Sequence, residues 1–302
     1  MRNQRTFFRY RARRTLRILP LILLGLTLLV PAKAAERPLS PERLAQAGGK
    51  DSDRINLLLI GQDRREGETA SRSDSIVLCT IQKDALRMTM TSFLRDLYVP
   101  IPGHGSNRIN AAYAFGGTEL LQQTLSENFG IRIDGCFEVD FSQFSRLVDL
   151  RGGVAIDLRQ DEAQLINADI PGSTLQEGKQ LLNGEQALAY ARIRKLDADG
   201  DFSRTDRQRK IISAFFDSCK DLRLPEILEL VEQAIPMVST DMKKAKVLSL
   251  TLELFPLLPE MEIISQKIPV EGTFTDQTID GMAVLEADMD ANRKYLEESL
   301  MQ

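Results

Sequence analysis

A layered α/β domain is the fold this sequence predicts, and three observations predict it. Apolar runs of strand length sit at 55–60, 75–82 and 153–158. Longer stretches with helical spacing fall between and after them, at 110–129, 142–150 and 205–220. Glycines mark the changeovers, Gly61 after the first run and Gly130 after the first long helix. Strands interleaved with helices bury both kinds of apolar surface by stacking in layers.

The first run, Ile55-Asn56-Leu57-Leu58-Leu59-Ile60, reads as a buried strand. A second strand spans 75–82, and a third spans 87–99 with an interruption near Leu94-Arg95-Asp96. Residues 110–129 read as a helix restarted after Gly116-Gly117, with Thr118 as its N-cap and Gly130 as its stop. A short strand at 137–141, a helix at 142–150 and a strand at 153–158 follow. Helices are expected at 184–191 and 205–220, then at 225–235, 241–255 and 279–299, with a strand near 261–268. No internal repeat or low-complexity tract interrupts this order.

Seven arginines and no acid occupy the first 17 residues, followed by an apolar run from 18 to 32. A cationic head before an apolar run is the pattern of a secretory signal or a signal anchor. The run is about 15 residues, short of the ~20 that cross a bilayer comfortably. Ala32-Lys33-Ala34 offers a small-residue cleavage site, so cleaved signal and retained anchor both stand. Either way the rest of the chain is expected outside the cytoplasm, at the outer face of the cell membrane. We read 1–35 as targeting segment, 36–50 as linker and 51–302 as one extracytoplasmic domain.

The chain has 39 Lys and Arg against 43 Asp and Glu, so beyond the arginine head it is markedly acidic. That excludes sequence-independent nucleic-acid binding, which needs basic side chains to neutralise phosphates. Three scattered cysteines, Cys79, Cys136 and Cys219, make no disulfide framework and read as small core residues. One histidine, His104, rules out a two-histidine metal site. Carboxylates, arginines and a metal ion remain as the chemical vocabulary.

The carboxylates are Asp63, at the end of the first strand, and Asp74, at the start of the second. If these strands are neighbours, both acids project from one sheet edge, where ligands of open α/β sheets collect. Such a pair suits a hard cation, Mg²⁺ with Mn²⁺ as an alternative, that completes its shell with water and phosphate oxygens. The competing reading makes both residues turn formers. Arg192-Ile193-Arg194 reads as an extended segment with both guanidiniums on one face. Arg204, Arg207 and Gln208 share a helix face at i, i+3 and i+4, behind a weak capping box of Ser203 and Asp206. Arg192, Arg194, Arg204 and Arg207 fall within 16 positions of an acidic domain. They read either as a phosphate clamp or as surface partners of Asp197, Asp199 and Asp201. Arg95 sits at the interruption of the third strand, as an ion pair with Asp96 or as part of the same site. Gly116-Gly117 lacks the Lys-Ser or Lys-Thr of a phosphate loop. Leu120, Leu121, Leu125, Phe129, Phe137, Phe141, Phe144 and Leu147 read as ordinary core or as the lining of a lipid groove.

These residues resemble the LytR-CpsA-Psr family of Gram-positive cell envelopes. The resemblance covers roughly 55–220 and is carried by separated blocks in a fixed order. They include Leu57-Leu58-Leu59-Ile60-Gly61 with Asp63, Arg72-Ser73-Asp74, Arg95-Asp96 and Arg108-Ile109-Asn110-Ala111-Ala112-Tyr113. Val139-Asp140-Phe141, Leu147-Val148-Asp149 with Gly152-Gly153-Val154, Leu182-Asn183-Gly184-Glu185-Gln186-Ala187, Arg192-Ile193-Arg194 and Asp201-Phe202-Ser203-Arg204 with Arg207-Gln208 complete them. The resemblance implies a three-layer α/β/α sandwich around a mixed sheet, with a lipid tail in an apolar tunnel and a pyrophosphate at its mouth. By the same resemblance Asp63 and Asp74 hold Mg²⁺ and act in catalysis with Arg72 and Arg95. Arg192, Arg194, Arg204, Arg207, Gln208 and Arg108 are implied to contact substrate. The implied activity moves a glycopolymer from a polyprenyl-pyrophosphate carrier to peptidoglycan at the membrane. A hydrolase using water at the same site and a non-enzymatic lipid-carrier binder are the other classes.

Overall fold

The computed structural model of the chain describes residues 54–62, 73–194, 196 and 200–300. The targeting segment, the linker, Asp63 and Arg72 lie outside them. Among the described residues the chain runs through β1 (Arg54–Gln62), β2 (Ser73–Gln82), β3 (Arg87–Phe93), β4 (Tyr98–Ile101), β5 (Gly105–Arg108) and α1 (Ile109–Phe129). Next come β6 (Gly135–Asp140), α2 (Phe141–Arg151), β7 (Val154–Leu158), α3 (Gln160–Asp169), β8 (Gly178–Leu182) and α4 (Gly184–Ala191). It ends with α5 (Gly200–Cys219), α6 (Leu224–Ala234), β9 (Ser239–Thr240), α7 (Lys244–Leu254), β10 (Glu262–Ile268), β11 (Phe274–Ile279), β12 (Met282–Ala287) and α8 (Met289–Ser299).

Six strands form a mixed sheet in the order β10-β3-β2-β1-β6-β9. The pairs β1–β2, β2–β3 and β6–β9 are antiparallel, and β1–β6 and β3–β10 are parallel. Strand alternation then assigns the layers. Leu58 and Ile60 of β1 stand opposite Leu78 and Ile76 of β2, and all four pack with Leu121, Leu125, Phe129 and Leu296 from α1 and α8. Leu57 and Leu59 point to the other face with Val77 and Cys79, against Ile212 of α5. The result is the three-layer α/β/α sandwich around a mixed sheet that the resemblance implies.

Several elements differ from the sequence expectation. The third strand is two: β3 ends at Phe93, and β4 pairs with β5 in a separate ribbon. The break is fixed because Leu94 and Leu97 are both buried, which turns Arg95 and Asp96 outward between them. The expected helix at 279–299 is a hairpin followed by α8. Asp280 and Gly281 both have positive φ and close a two-residue turn between Ile279 and Met282, the Asp-Gly hairpin signal. Helix α5 starts at Gly200, so Ser203 lies inside it and caps nothing. α3 and β8 have no counterpart in the expectation. The Gly116-Gly117 kink is real, with Gly117 at φ 63°, and Gly130 closes α1 at φ 68°. Thr118 donates its hydroxyl to Glu138 of β6 instead of capping.

One glycine holds two helices together. A Cβ at Gly184, the first residue of α4, would collide with the backbone carbonyl of Ser145 on α2. Gly184 N–H also donates to Asp149 Oδ1 at 2.7 Å. Gly184→Ala is expected to destabilise the fold by about 1–3 kcal/mol through this forced shift. Urea unfolding of the two proteins measures it directly.

Candidate active site

The cavity-facing side of the sheet does not close against α5, α6 and α7. It leaves a cavity of about 480 Å³, lined by β1, β2, β3 and β6 on one side and by these helices with α2 and α4 on the other. Among the described residues its wall is apolar except for Asp74, Ser75, Asp140, Arg192, Gln208 and Thr251. The Thr251 hydroxyl is turned back onto its own helix, bonded to Val247 O at 3.0 Å. Burial pushes the Cys79 thiol up to about 12, so it lines the cavity as a protonated, small apolar group.

The polar residues gather because three strands end together. β1 finishes at Gln62, opposite Asp140 at the end of β6 and Ser73 at the start of β2. The register of β1 with β2 slips there: Gly61 faces Ser75 and Gln62 faces Ser73, so Asp74 has no partner in the ladder. A bulge of this kind re-aims a side chain, which is why bulges recur beside active sites.

Charge is concentrated around Asp74. Arg95 Nη1 lies 2.8 Å from Asp74 Oδ1, while its Nε lies 3.4 Å from Asp201 and 3.6 Å from Asp96. Arg194 Nη2 is 3.9 Å from Asp74 Oδ2. Arg204 reaches Asp201 at 2.9 Å and the Asp74 carbonyl at 3.3 Å. Arg108, at the head of α1, pairs with Asp96 at 3.3 Å and braces the Arg95-Asp96 corner. Burial draws the Arg95 pKa down, but Asp201, Asp74 and Asp96 together outweigh it and leave it raised. Arg204 is lowered, by burial first and then by the like charges of Arg95 and Arg194, against the pull of Asp201. Among the described residues its Nε and Nη1 are buried with no hydrogen-bond partner. A cation held this way is a standing attraction for an anion.

The structure thus brings Asp74, Arg95, Arg194 and Arg204 into one cluster. Arg192 does not share an extended face with Arg194. It closes α4 in helical conformation, and its guanidinium lies over the Phe141 ring at 4.8 Å, on the cavity wall. Gln208 also lines the cavity. Arg207 has a different place from the substrate contact expected of it. It is 3% exposed, and its Nε is 2.8 Å from Glu162 Oε1, because its turn of α5 faces α3 and not the cavity. Of the apolar positions, Phe137, Phe141, Phe144 and Leu147 line the cavity. Leu120, Leu121, Leu125 and Phe129 belong to the core of the opposite layer. Asp201 is the residue that sequence reasoning passed over as a surface partner; it ties Arg95 to Arg204.

Among the described residues no group of three or more His, Cys, Asp or Glu side chains is close enough to hold a metal. Asp74 is a hard oxygen donor beside the cavity, and Mg²⁺ commonly takes only one or two protein carboxylates, the rest being water and phosphate. The donor chemistry of Asp74 fits such an ion.

Comparison with known proteins follows the same lines. The LytR_cpsA_psr family profile matches residues 31–299. The chain is 31% identical over 259 residues to "Regulatory protein MsrR" of Staphylococcus aureus (strain COL), covering 83% of this chain and 76% of that protein. It is 36% identical over 222 residues to "Polyisoprenyl-teichoic acid--peptidoglycan teichoic acid transferase TagT" of Bacillus subtilis (strain 168), covering 72% and 67%. Among solved structures it is similar to "TagT bound to LIIa-WTA", with a TM-score of 0.68 at 29% identity over 83% of this chain and 90% of that one. It is also similar to "LytR-CPS2A-psr family protein YwtF (TagT) with bound octaprenyl pyrophosphate lipid", with a TM-score of 0.63 at 28% identity over 83% and 92%.

Proposed function

The chain belongs to the LytR_cpsA_psr family, and from that premise we propose that it transfers an anionic glycopolymer from a polyprenyl-pyrophosphate carrier onto peptidoglycan. The observation that carries this is one cavity with two chemistries: an apolar interior, and a polar end where Asp74, which pairs with Arg95 and Arg194, and Arg192 both line the wall. A prenyl chain ending in a diphosphate has the same two parts. The relatives named as teichoic acid transferases support the same reading.

In the reaction proposed, a peptidoglycan hydroxyl oxygen bonds to the polymer-proximal phosphorus. The bond from that phosphorus to the bridging oxygen breaks, the hydroxyl proton is lost to solvent, and polyprenyl phosphate leaves. Arg194 and Arg192 are assigned to the phosphates, and Arg95 to holding Asp74 and the developing charge. Catalysis of phosphoryl transfer rests mainly on such positioning and charge stabilisation. Asp74, together with Asp63, is the pair we assign to Mg²⁺, which would supply charge neutralisation of the diphosphate. The arginine-rich head and apolar run support a place for the domain at the outer face of the cell membrane.

Arg192→Ala or Arg194→Ala is expected to weaken octaprenyl pyrophosphate binding by about 1–3 kcal/mol, the scale of a lost charge-assisted hydrogen bond. Lysine at either position should restore only part, because the two-pronged fork is lost. The function itself is tested by supplying a labelled polyprenyl-pyrophosphate glycopolymer with and without peptidoglycan oligomers. Polymer should become covalently attached to the oligomers, with release of polyprenyl phosphate dependent on them. Equal release without the acceptor would indicate a hydrolase, and binding without release a carrier protein.

A further inference from the structure

We propose that the buried Glu162–Arg207 pair is a positioning device, which sets the two rim arginines by gripping the backbone carbonyl between them. This rests on the assignment of Arg192 and Arg194 to the phosphates. Both side chains of the pair are 4% exposed, and neither lines the cavity. Glu162 Oε2 accepts the Arg159 N–H at 3.0 Å at the head of α3, and Oε1 accepts Arg207 Nε at 2.8 Å. Arg207 then donates from Nη1 to Ile193 O at 3.2 Å. Ile193 is itself buried in the core shared by α3, α4, α5 and β7. Its neighbours in sequence are Arg192, over Phe141, and Arg194, 3.9 Å from Asp74. A fixed Ile193 carbonyl therefore fixes the origin from which both arginines reach.

Energetics favour this role over plain stabilisation. A buried ion pair repays its desolvation poorly, and apolar replacements of similar size are often neutral or better. What the pair supplies is geometry. A guanidinium can hold a carboxylate and a carbonyl at once in a rigid plane, which an ammonium cannot. The site sits near Tyr190, whose buried phenol is raised by burial and then by the Glu162 charge, and so stays neutral beside the pair.

The test replaces the pair by apolar side chains, as the double variant Glu162→Leu/Arg207→Met, in the full chain in detergent. The probe is octaprenyl pyrophosphate, with Arg192→Ala measured alongside. The double variant is expected to melt close to the parent, yet bind on the order of ten- to a hundredfold more weakly, as a displaced contact residue does. Arg207→Lys keeps the charge and loses the fork; it should bind with an intermediate loss, and it decides the matter if the double variant does not fold. Parent-like binding by a folded double variant, or by Arg207→Lys, would overturn the positioning role. If Arg192→Ala itself binds like the parent, the assignment of the rim arginines fails first, and the inference with it.

Discussion

Asp74→Ala is expected to lower the rate of polymer transfer on the order of 10²- to 10³-fold, the scale of removing one group that stabilises transition-state charge. The fold should survive. Asp74 sits at a bulge outside the strand ladder, and Arg95 keeps Asp96 and Asp201 as partners. Asp74→Asn preserves shape and removes charge, so it should fall nearly as far as alanine. If Asp63 and Asp74 act through one Mg²⁺, each single variant should lose about as much as the double, since residues acting as a unit are not additive. Chelation of divalent metal should then bring the parent to the same level. Steady-state rates for the three variants, with and without chelator, measure this. Multiplicative losses would mean that the two acids work separately.

Cys79→Phe is expected to leave stability unchanged or raise it, while cutting octaprenyl pyrophosphate affinity by up to about 10³-fold. Cys79 lies mid-strand in β2 and lines the cavity. In a full core, added bulk forces strain; here the ring enters space that is already open. The same ring takes the volume of roughly one five-carbon isoprene unit. At about 0.8 kcal/mol per buried carbon, its exclusion forfeits about 4 kcal/mol. Inorganic pyrophosphate, which has no tail, should bind parent and variant alike. That contrast separates a blocked tail from a damaged head-group site, and titration with both ligands measures it.

Much of this was legible in the sequence because short-range signals and long-range packing agreed. The run Leu57-Leu58-Leu59-Ile60 is apolar on both faces, and in β1 one face is buried in the core while the other lines the apolar cavity. Arg95-Asp96 between two buried leucines reads as an interruption and is one. Where the reading failed, tertiary context had decided. Thr278-Ile279-Asp280-Gly281-Met282-Ala283-Val284 carries an Asp-Gly turn signal inside a window whose apolar spacing also suits a helix. Arg207 and Arg204 are three apart on one helix and look equivalent. The next helix over separates them, since Glu162 of α3 captures Arg207 while Arg204 stays with Asp201 and Asp74. Asp201 looked like one acid of several in a charged loop; only the approach of β3 to α5 makes it the link between two arginines. Likewise Phe144 and Phe129 are both aromatic residues on helices, and the sheet between them assigns one to the cavity and one to the core.

A crystal structure of the protein with octaprenyl pyrophosphate and Mg²⁺ tests the proposed function most directly. The prenyl chain is expected between the β1–β2 face and α5 to α7, passing Cys79. The two phosphates should lie within hydrogen-bond reach of Arg192 and Arg194, with the metal on Asp74. A chain bound on the α1 side of the sheet, or phosphates that leave Asp74 and both arginines untouched, would contradict it.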